Sequence, residues 1–330
     1  MSEFRQDPVS GDWIVIAPER SVRPSNFKKK KEKRIRAPKT GCPFEPQQLE
    51  AAPNWPPIIS YPNQKNWRVV VVPNKYPALT HTEQCSMILD SGPYRSQTGV
   101  GHHDLVITRD HENNFAKLSP SRAAEVMAVL AKRYRELAED PCIFYTSSFF
   151  NWGPRAGASL YHPHYQILSL PIIPPDVHHS LAGSERYYKK HKSCVHCDML
   201  TYEKKVKKRV VLETRDVIVL APYVSRSSYE LRLFPKKHLP FFEKSSPHVL
   251  ASTSELLQKT LRLVRDKLDD PDLNFFIHTA PLKHQDRYPY YHWHIEIIPK
   301  ITDWAGFELS TGVEINTVDP DFVASFLRPR

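Results

Sequence analysis

His162-Pro163-His164-Tyr165-Gln166 and His292-Trp293-His294-Ile295-Glu296 are two copies of one pattern, an H-x-H pair with a long polar side chain two residues on. In a strand, side chains at i, i+2 and i+4 share a face. The pattern therefore sets His162, His164 and Gln166 on one side of a strand, and His292, His294 and Glu296 on one side of another. A lone H-x-H is equally what a strand with solvent-facing or core imidazoles would show, so its surroundings have to decide.

Working outward, the same series of segments precedes both copies. A metal-type pair comes first, Cys42-Pro43-Phe44-Glu45 and Cys194-Val195-His196-Cys197. A β-branched strand follows, Arg68-Val69-Val70-Val71-Val72-Pro73 and Val217-Ile218-Val219-Leu220-Ala221-Pro222. Short apolar segments then end near His111 and His238. Next comes one long helix per copy. Ser119-Pro120 and Ser246-Pro247 each supply an N-cap and a proline at the first helical position. Val126, Leu130, Tyr134 and Leu137 keep a helical period, as do Leu250, Leu257, Leu261, Val264 and Leu268. Asp140-Pro141 and Asp270-Pro271 stop the helices, because proline disfavours helical backbone before it. Aromatic strands at 143–150 and 274–277 lead into the two H-x-H strands. The expected fold is α+β, two tandem halves, each an antiparallel sheet with one main helix. Residues 1–170 form the first half and 194–330 the second. The link, 171–193, opens with Pro171-Ile172-Ile173-Pro174-Pro175 and continues as a polar stretch.

With 330 residues the chain has room for two domains at ~100–200 residues each. No apolar run reaches the ~18 residues of a membrane helix, and the N-terminus lacks a signal-type apolar stretch, so the expectation is a cytoplasmic protein with no membrane partner. The five cysteines, an odd and low count, argue against a disulfide framework and cast Cys85 and Cys142 as plain core or semi-buried thiols. Much of the +10 net charge sits in residues 28–36, read as a solvated, mobile loop. A nucleic-acid patch is the sharper alternative, but no aromatic residue interrupts the run to stack on bases. The remaining positive charge suits small anionic substrates.

Before the first H-x-H lies Asn151-Trp152-Gly153-Pro154-Arg155-Ala156-Gly157-Ala158-Ser159, whose glycines and small residues let a phosphate approach backbone N–H groups. A phosphate loop, an imidazole and an amide donor make a phosphoryl-transfer constellation. A neutral imidazole attacks phosphorus without a separate base and gives a phosphoramidate that stays reactive. Gln166 would donate to the oxygens that gain charge. In the second half the loop 278–283 has no glycine, so His294 and Glu296 read as a degenerate copy.

With that loop before it, 162–166 is similar to the H-P-H-x-Q signature of the galactose-1-phosphate uridylyltransferases, in the histidine-triad superfamily. The likeness extends to Ala17-Pro18-Glu19-Arg20-Ser21-Val22-Arg23-Pro24, Asn74-Lys75-Tyr76-Pro77-Ala78-Leu79 and Gly306-Phe307-Glu308. It implies that His164 becomes nucleotidylated while Gln166, Ser159 and the loop around Gly157 hold the phosphoryl group. Arg20 and Arg23 would bind the sugar phosphate, and Asn74, Tyr76, Pro77 and Asn151 the nucleotide. Glu308 would contact a sugar hydroxyl across a homodimer interface.

Two zinc sites are expected. Cys194, Cys197, His238 and His292 form a Cys₂His₂ set typical of structural zinc. A redox C-x-x-C is the alternative, without a thioredoxin-like context. Cys42, Glu45, His111 and His162 form a second set, weaker because the family commonly has cysteine where Glu45 stands. His196 should face away from the metal.

The leading functional reading is uridylyl transfer from UDP-glucose to galactose-1-phosphate, with nucleotide sugar and sugar phosphate as partners. Residues 306–312 and Tyr165, where the uridylyltransferases commonly have glycine, look more like the ADP-glucose phosphorylase branch, which transfers AMP to phosphate. A nucleotide hydrolase and a non-enzymatic zinc scaffold are further alternatives.

Overall fold

The structure is a computed structural model that describes residues 1–22, 34 and 36–329. Arg23 and most of the basic run lie outside the described residues.

Alternating apolar residues build a ten-stranded antiparallel sheet, in which each half contributes five strands. From one edge the first half runs Ile59–Tyr61, Val69–Pro73, His102–Thr108, His164–Leu170 and Tyr145–Trp152. The second half continues with Leu273–His278, His294–Pro299, Leu231–Pro235, Val217–Leu220 and Val210–Glu213. The two orders mirror each other about the central pair, where Tyr145–Trp152 meets Leu273–His278 with Phe150 opposite Phe275. The duplicated series is thus one continuous sheet.

Two helices, Pro120–Glu139 and Pro247–Lys267, cover one face. Ser119 and Ser246 cap them as expected, their hydroxyls accepting from the N–H groups of Arg122 and Val249. The second helix stops before Asp270. Asp269 and Asp270 both take positive φ, so the chain turns ahead of Pro271. Beneath these helices the core gathers the inward-facing residues of both halves, Val69, Val71, Val106, Tyr165, Phe275 and Ile295 among them. Phe275 packs its ring 5.8, 5.1 and 6.1 Å from those of Phe115, Phe150 and Tyr165.

Four expectations need correcting. The polar stretch of the link is a helix, Pro175–His191; its prolines start the helix instead of marking a loop. Cys85 and Cys142 are disulfide-bonded, because the fold brings Cα atoms 57 residues apart in sequence to 5.0 Å. Arg34, inside the basic run, is not a solvated side chain. It donates to Asp272 at 2.9 Å and Asp270 at 2.7 Å, and stacks 4.7 Å from the Trp152 ring. Finally, the strands begin at His164 and His294, with His162 and His292 just before them. Among the described residues no helix is long and apolar enough to cross a membrane.

Truncating the ring that bridges the halves should be costly. Phe275→Ala should lower stability by ~3–5 kcal/mol, read from urea unfolding of the whole chain. A loss under ~1 kcal/mol would mean that this cluster does not join the two halves energetically.

Candidate active site and metal clusters

The sheet face opposite the two long helices carries the site. On His164–Leu170, His164 and Gln166 stand opposite Ile107 and Leu105 of the neighbouring strand, so both point to that face. Tyr165 points the other way, 1% exposed among Phe115, Phe150 and Phe275. It packs the core.

His164 is buried and sits against Phe44, ring centres 5.1 Å apart. Its Nδ1 lies 3.0 Å from the carbonyl oxygen of His162. A carbonyl only accepts, so Nδ1 carries the proton and Nε2 keeps its lone pair. Burial disfavours the charged ring and moves its pKa below the ordinary imidazole value, against the opposing pull of that hydrogen bond. The result is a neutral imidazole with a defined nucleophilic nitrogen.

Gln166 is oriented by His103, which sequence reasoning missed. The N–H of Ala78 donates to His103 Nδ1 at 3.1 Å, which leaves the proton on Nε2, an atom that the Asn74 amide nitrogen also approaches to 3.1 Å. That Nε2–H then donates to Gln166 Oε1 at 2.9 Å. With its oxygen engaged, the Gln166 amide has its N–H groups left to offer. Period-two alternation from Leu105 would have placed His103 on this face. Asn74 is joined to the same residue, its N–H donating to the His103 carbonyl at 2.7 Å. Asn74 Oδ1 in turn accepts from the N–H of Tyr76 at 3.0 Å, shaping the loop that exposes Tyr76 and Pro77.

The glycine loop follows the Tyr145–Trp152 strand beside His164. Gly153 (φ +86°) and Gly157 (φ +84°) adopt backbone that favours glycine. Asp272, from the second half, accepts from the N–H of Arg155 at 2.9 Å. Asn274 donates to Asn151 Oδ1 at 2.8 Å and to the Ala156 carbonyl at 2.9 Å. Neither Asp272 nor Asn274 was legible as a site residue, because they reach the loop across the central ladder. Ser159 is exposed at the far end of the loop.

Arg20 and Glu308 stand further out. Arg20 belongs to the short helix Pro18–Val22, and Glu308 caps the helix Gly306–Thr311 by accepting from the N–H of Ala305 at 3.0 Å. No hydrogen bond or ion pair joins either to His164 or Gln166. Arg155 ties the glycine loop toward Glu308, donating to the Lys300 carbonyl at 2.7 Å and to Asp303 at 2.6 Å.

Both predicted donor sets converge. Cys194, Cys197, His238 and His292 place one ligand atom each within 4.8 Å of one another, and so do Cys42, Glu45, His111 and His162. In the first set, Cys197 Sγ lies 3.3 and 3.5 Å from the Nδ1 atoms of His238 and His292. Their Nε2 atoms donate to the carbonyls of Pro289 (2.7 Å) and Pro235 (2.9 Å), leaving both Nδ1 atoms free to ligate. The same device recurs in the second set, where the Nε2 atoms of His111 and His162 donate to the carbonyls of Ala37 (2.9 Å) and Thr108 (2.8 Å). There Glu45 Oε1 approaches the two Nδ1 atoms to 2.7 and 3.6 Å. Burial pushes His162 down to about 4, the neutral state a ligand needs. A hydrogen bond from Cys197, helped by His238 and His292, holds the Cys194 thiol well below its usual range. Each set fits a divalent ion. His196 faces away as expected, buried against Phe234 and His294.

In the second half His294 stands at the position equivalent to His164, at the start of its strand. His294 is clamped between the rings of Phe234 (4.9 Å) and His278 (4.7 Å), both nearly parallel to it.

Residues 1–174 match the family model for the galactose-1-phosphate uridyl transferase N-terminal domain. An Arabidopsis thaliana protein named ADP-glucose phosphorylase is 33% identical over 99% of this chain and 92% of its own length. A Thermotoga maritima galactose-1-phosphate uridylyltransferase is 26% identical over 99% of this chain and 98% of its own. The chain belongs to the galactose-1-phosphate uridylyltransferase family. A crystal structure of the Arabidopsis thaliana ADP-glucose phosphorylase with bound ADP-glucose superposes with a TM-score of 0.85, at 29% identity, covering 100% of this chain and 99% of that one. Members of this family with these names are nucleotidyl-transferring enzymes, and so is this chain.

A Cβ at residue 153 would stand 2.0 Å from Asp272 Oδ1, whereas Gly11 (φ +90°) has nothing within 4 Å. Both substitutions by alanine carry the cost of positive φ, but only Gly153→Ala adds a clash. In thermal unfolding Gly153→Ala should therefore lose more than Gly11→Ala, by roughly 1–3 kcal/mol. Equal losses would show that the Asp272 contact does not hold the loop.

Proposed function

We propose that this family member transfers a nucleotidyl group from a nucleotide hexose to an acceptor through a phosphoramidate on His164 Nε2. The observation that carries this is the locked tautomer, with Nδ1–H held by the His162 carbonyl so that Nε2 keeps its lone pair. In the first step Nε2 bonds to the α-phosphorus, the bond from that phosphorus to the bridging oxygen breaks, and hexose 1-phosphate leaves as an anion. In the second step an oxygen of the acceptor phosphate bonds to the same phosphorus, and the Nε2–P bond breaks. Gln166 donates to the phosphoryl oxygens as they gain charge, with Ser159 and the N–H groups around Gly157 beside it.

For the substrate pair we take ADP-glucose as donor and phosphate as acceptor. The Arabidopsis thaliana relative, alike over 99% of this chain, supports that choice. The second reading is UDP-glucose with galactose-1-phosphate, and the Thermotoga maritima relative and the family model favour it. In either case Arg20 and Arg23 hold the sugar phosphate, while Asn74, Tyr76, Pro77 and Asn151 hold the nucleotide. Residues 1–170 perform the chemistry, 171–193 join the halves, and 194–330 support the loop and bring Glu308 to a partner's site in a homodimer. Zinc is the ion of both donor sets, where it would brace strand ends without touching substrate. A cytoplasmic setting suits these substrates.

The full chain should be incubated separately with donors labelled in the α-phosphate. Label from ADP-glucose should stay on the wild-type protein and be absent from His164→Asn. Phosphate should then release it as ADP. Retention from UDP-glucose, with release by galactose-1-phosphate, would select the second reading. No retained label from either donor would overturn the phosphoramidate.

Zinc content gives a separate check. Cys194→Ser should lower bound zinc by one equivalent per chain relative to wild type. An unchanged content would refute the Cys194/Cys197/His238/His292 ligand set.

A further inference from the structure

A third convergence of donors lies on the opposite face of the sheet from His164. His81, His102 and Asp140 bring one ligand atom each within 4.8 Å of one another. His102 Nε2 is 2.8 Å from Asp140 Oδ2, and His81 Nδ1 is 3.6 Å from that same oxygen. The two imidazoles stack with centres 4.3 Å apart and planes at 21°. They come from three separate elements: the loop beyond Tyr76 and Pro77, the first residue of His102–Thr108, and the C-cap of Pro120–Glu139.

The arrangement is held from outside. Asp140 Oδ1 accepts from the N–H of Cys142 at 2.9 Å, which fixes the carboxylate plane. Cys142 is disulfide-bonded to Cys85, four residues beyond His81, so the bridge draws the loop onto the helix end. Thr82, Glu83 and Glu136 help line a cavity of about 490 Å³ at this point, leaving room for water or a carboxylate on an ion.

An ordinary ion pair needs one protonated histidine. Here two ring nitrogens address one carboxylate oxygen from stacked rings 4.3 Å apart, and adjacent imidazolium charges would repel, so at most one ring is charged without a metal. A divalent ion replaces both ring protons and satisfies all three donors together. Two imidazoles and a carboxylate suit zinc, cobalt or nickel better than calcium or magnesium.

We propose that His81, His102 and Asp140 form a third divalent-metal site, of the imidazole–carboxylate class, that pins the loop carrying Asn74 and Tyr76 to the end of the Pro120–Glu139 helix. This site is independent of the chemistry at His164. Full-length protein equilibrated at buffered free zinc should bind one equivalent more than His81→Gln, at equal unfolding temperature without zinc. The His81 side chain is 55% exposed, so its replacement should not disturb folding. His102→Gln should lose the same equivalent, while Cys194→Ser should lose a different one. Zinc should also slow amide exchange across residues 77–83 in wild type and not in His81→Gln. Equal zinc binding by wild type and His81→Gln would overturn the site, and unaltered exchange in zinc-loaded wild type would overturn the pinning.

Discussion

The antiparallel ladder between Tyr145–Trp152 and Leu273–His278 fuses two similar halves into one sheet. Either half alone would expose an unsatisfied strand edge and one side of its core. Pairing at the centre removes that edge and buries Phe150, Phe275 and Tyr165 together. It also puts second-half side chains within reach of the first-half loop. Asp272 and Asn274 hold the 151–159 backbone, and Arg34 is drawn in by Asp270 and Asp272. The reactive histidine thus depends on both halves, although its own sequence lies in one.

The sheet works as a partition. Period-two alternation sends Tyr165 and Ile167 to the helices and His164 and Gln166 to the other face. Apolar packing on one side makes the strand rigid, and that rigidity fixes the direction of the imidazole on the other. The backbone carbonyl of His162 then selects the tautomer. The same carbonyl device recurs at His294 and His292, at 3.1 Å. What differs is the company each ring keeps: Phe44 packs against His164, and Phe234 and His278 pack against His294.

Histidines carry three different duties across this fold through one rule. A ring nitrogen that donates to a carbonyl leaves the other nitrogen with a lone pair. At His162, His111, His238 and His292 the free nitrogen faces other ligands; at His164 it keeps the lone pair that attack on phosphorus needs. At His103 the backbone N–H of Ala78 reverses the assignment and turns the ring into a donor to Gln166.

Much of this was legible in the chain. Serine–proline starts, apolar periods and the repeated H-x-H gave the two helices and two similar antiparallel halves, because caps and alternation are local properties, whereas the merging of the halves into one ten-stranded sheet was not legible. Cys42, Glu45, His111 and His162, and likewise Cys194, Cys197, His238 and His292, were readable as sets because duplication aligned them. His103, Asp272, Asn274 and the Cys85–Cys142 bridge were not, since each acts through a partner distant in sequence. Pro174 and Pro175 misled because proline opens a helix as readily as it breaks one. By itself the sequence determined which residues could do chemistry and which face each strand would show. Only the tertiary structure decided which nitrogen of each imidazole is free, which rings pack against each of two equivalent histidines, and which distant side chains hold the loop, because those depend on contacts between segments that local backbone preferences do not encode.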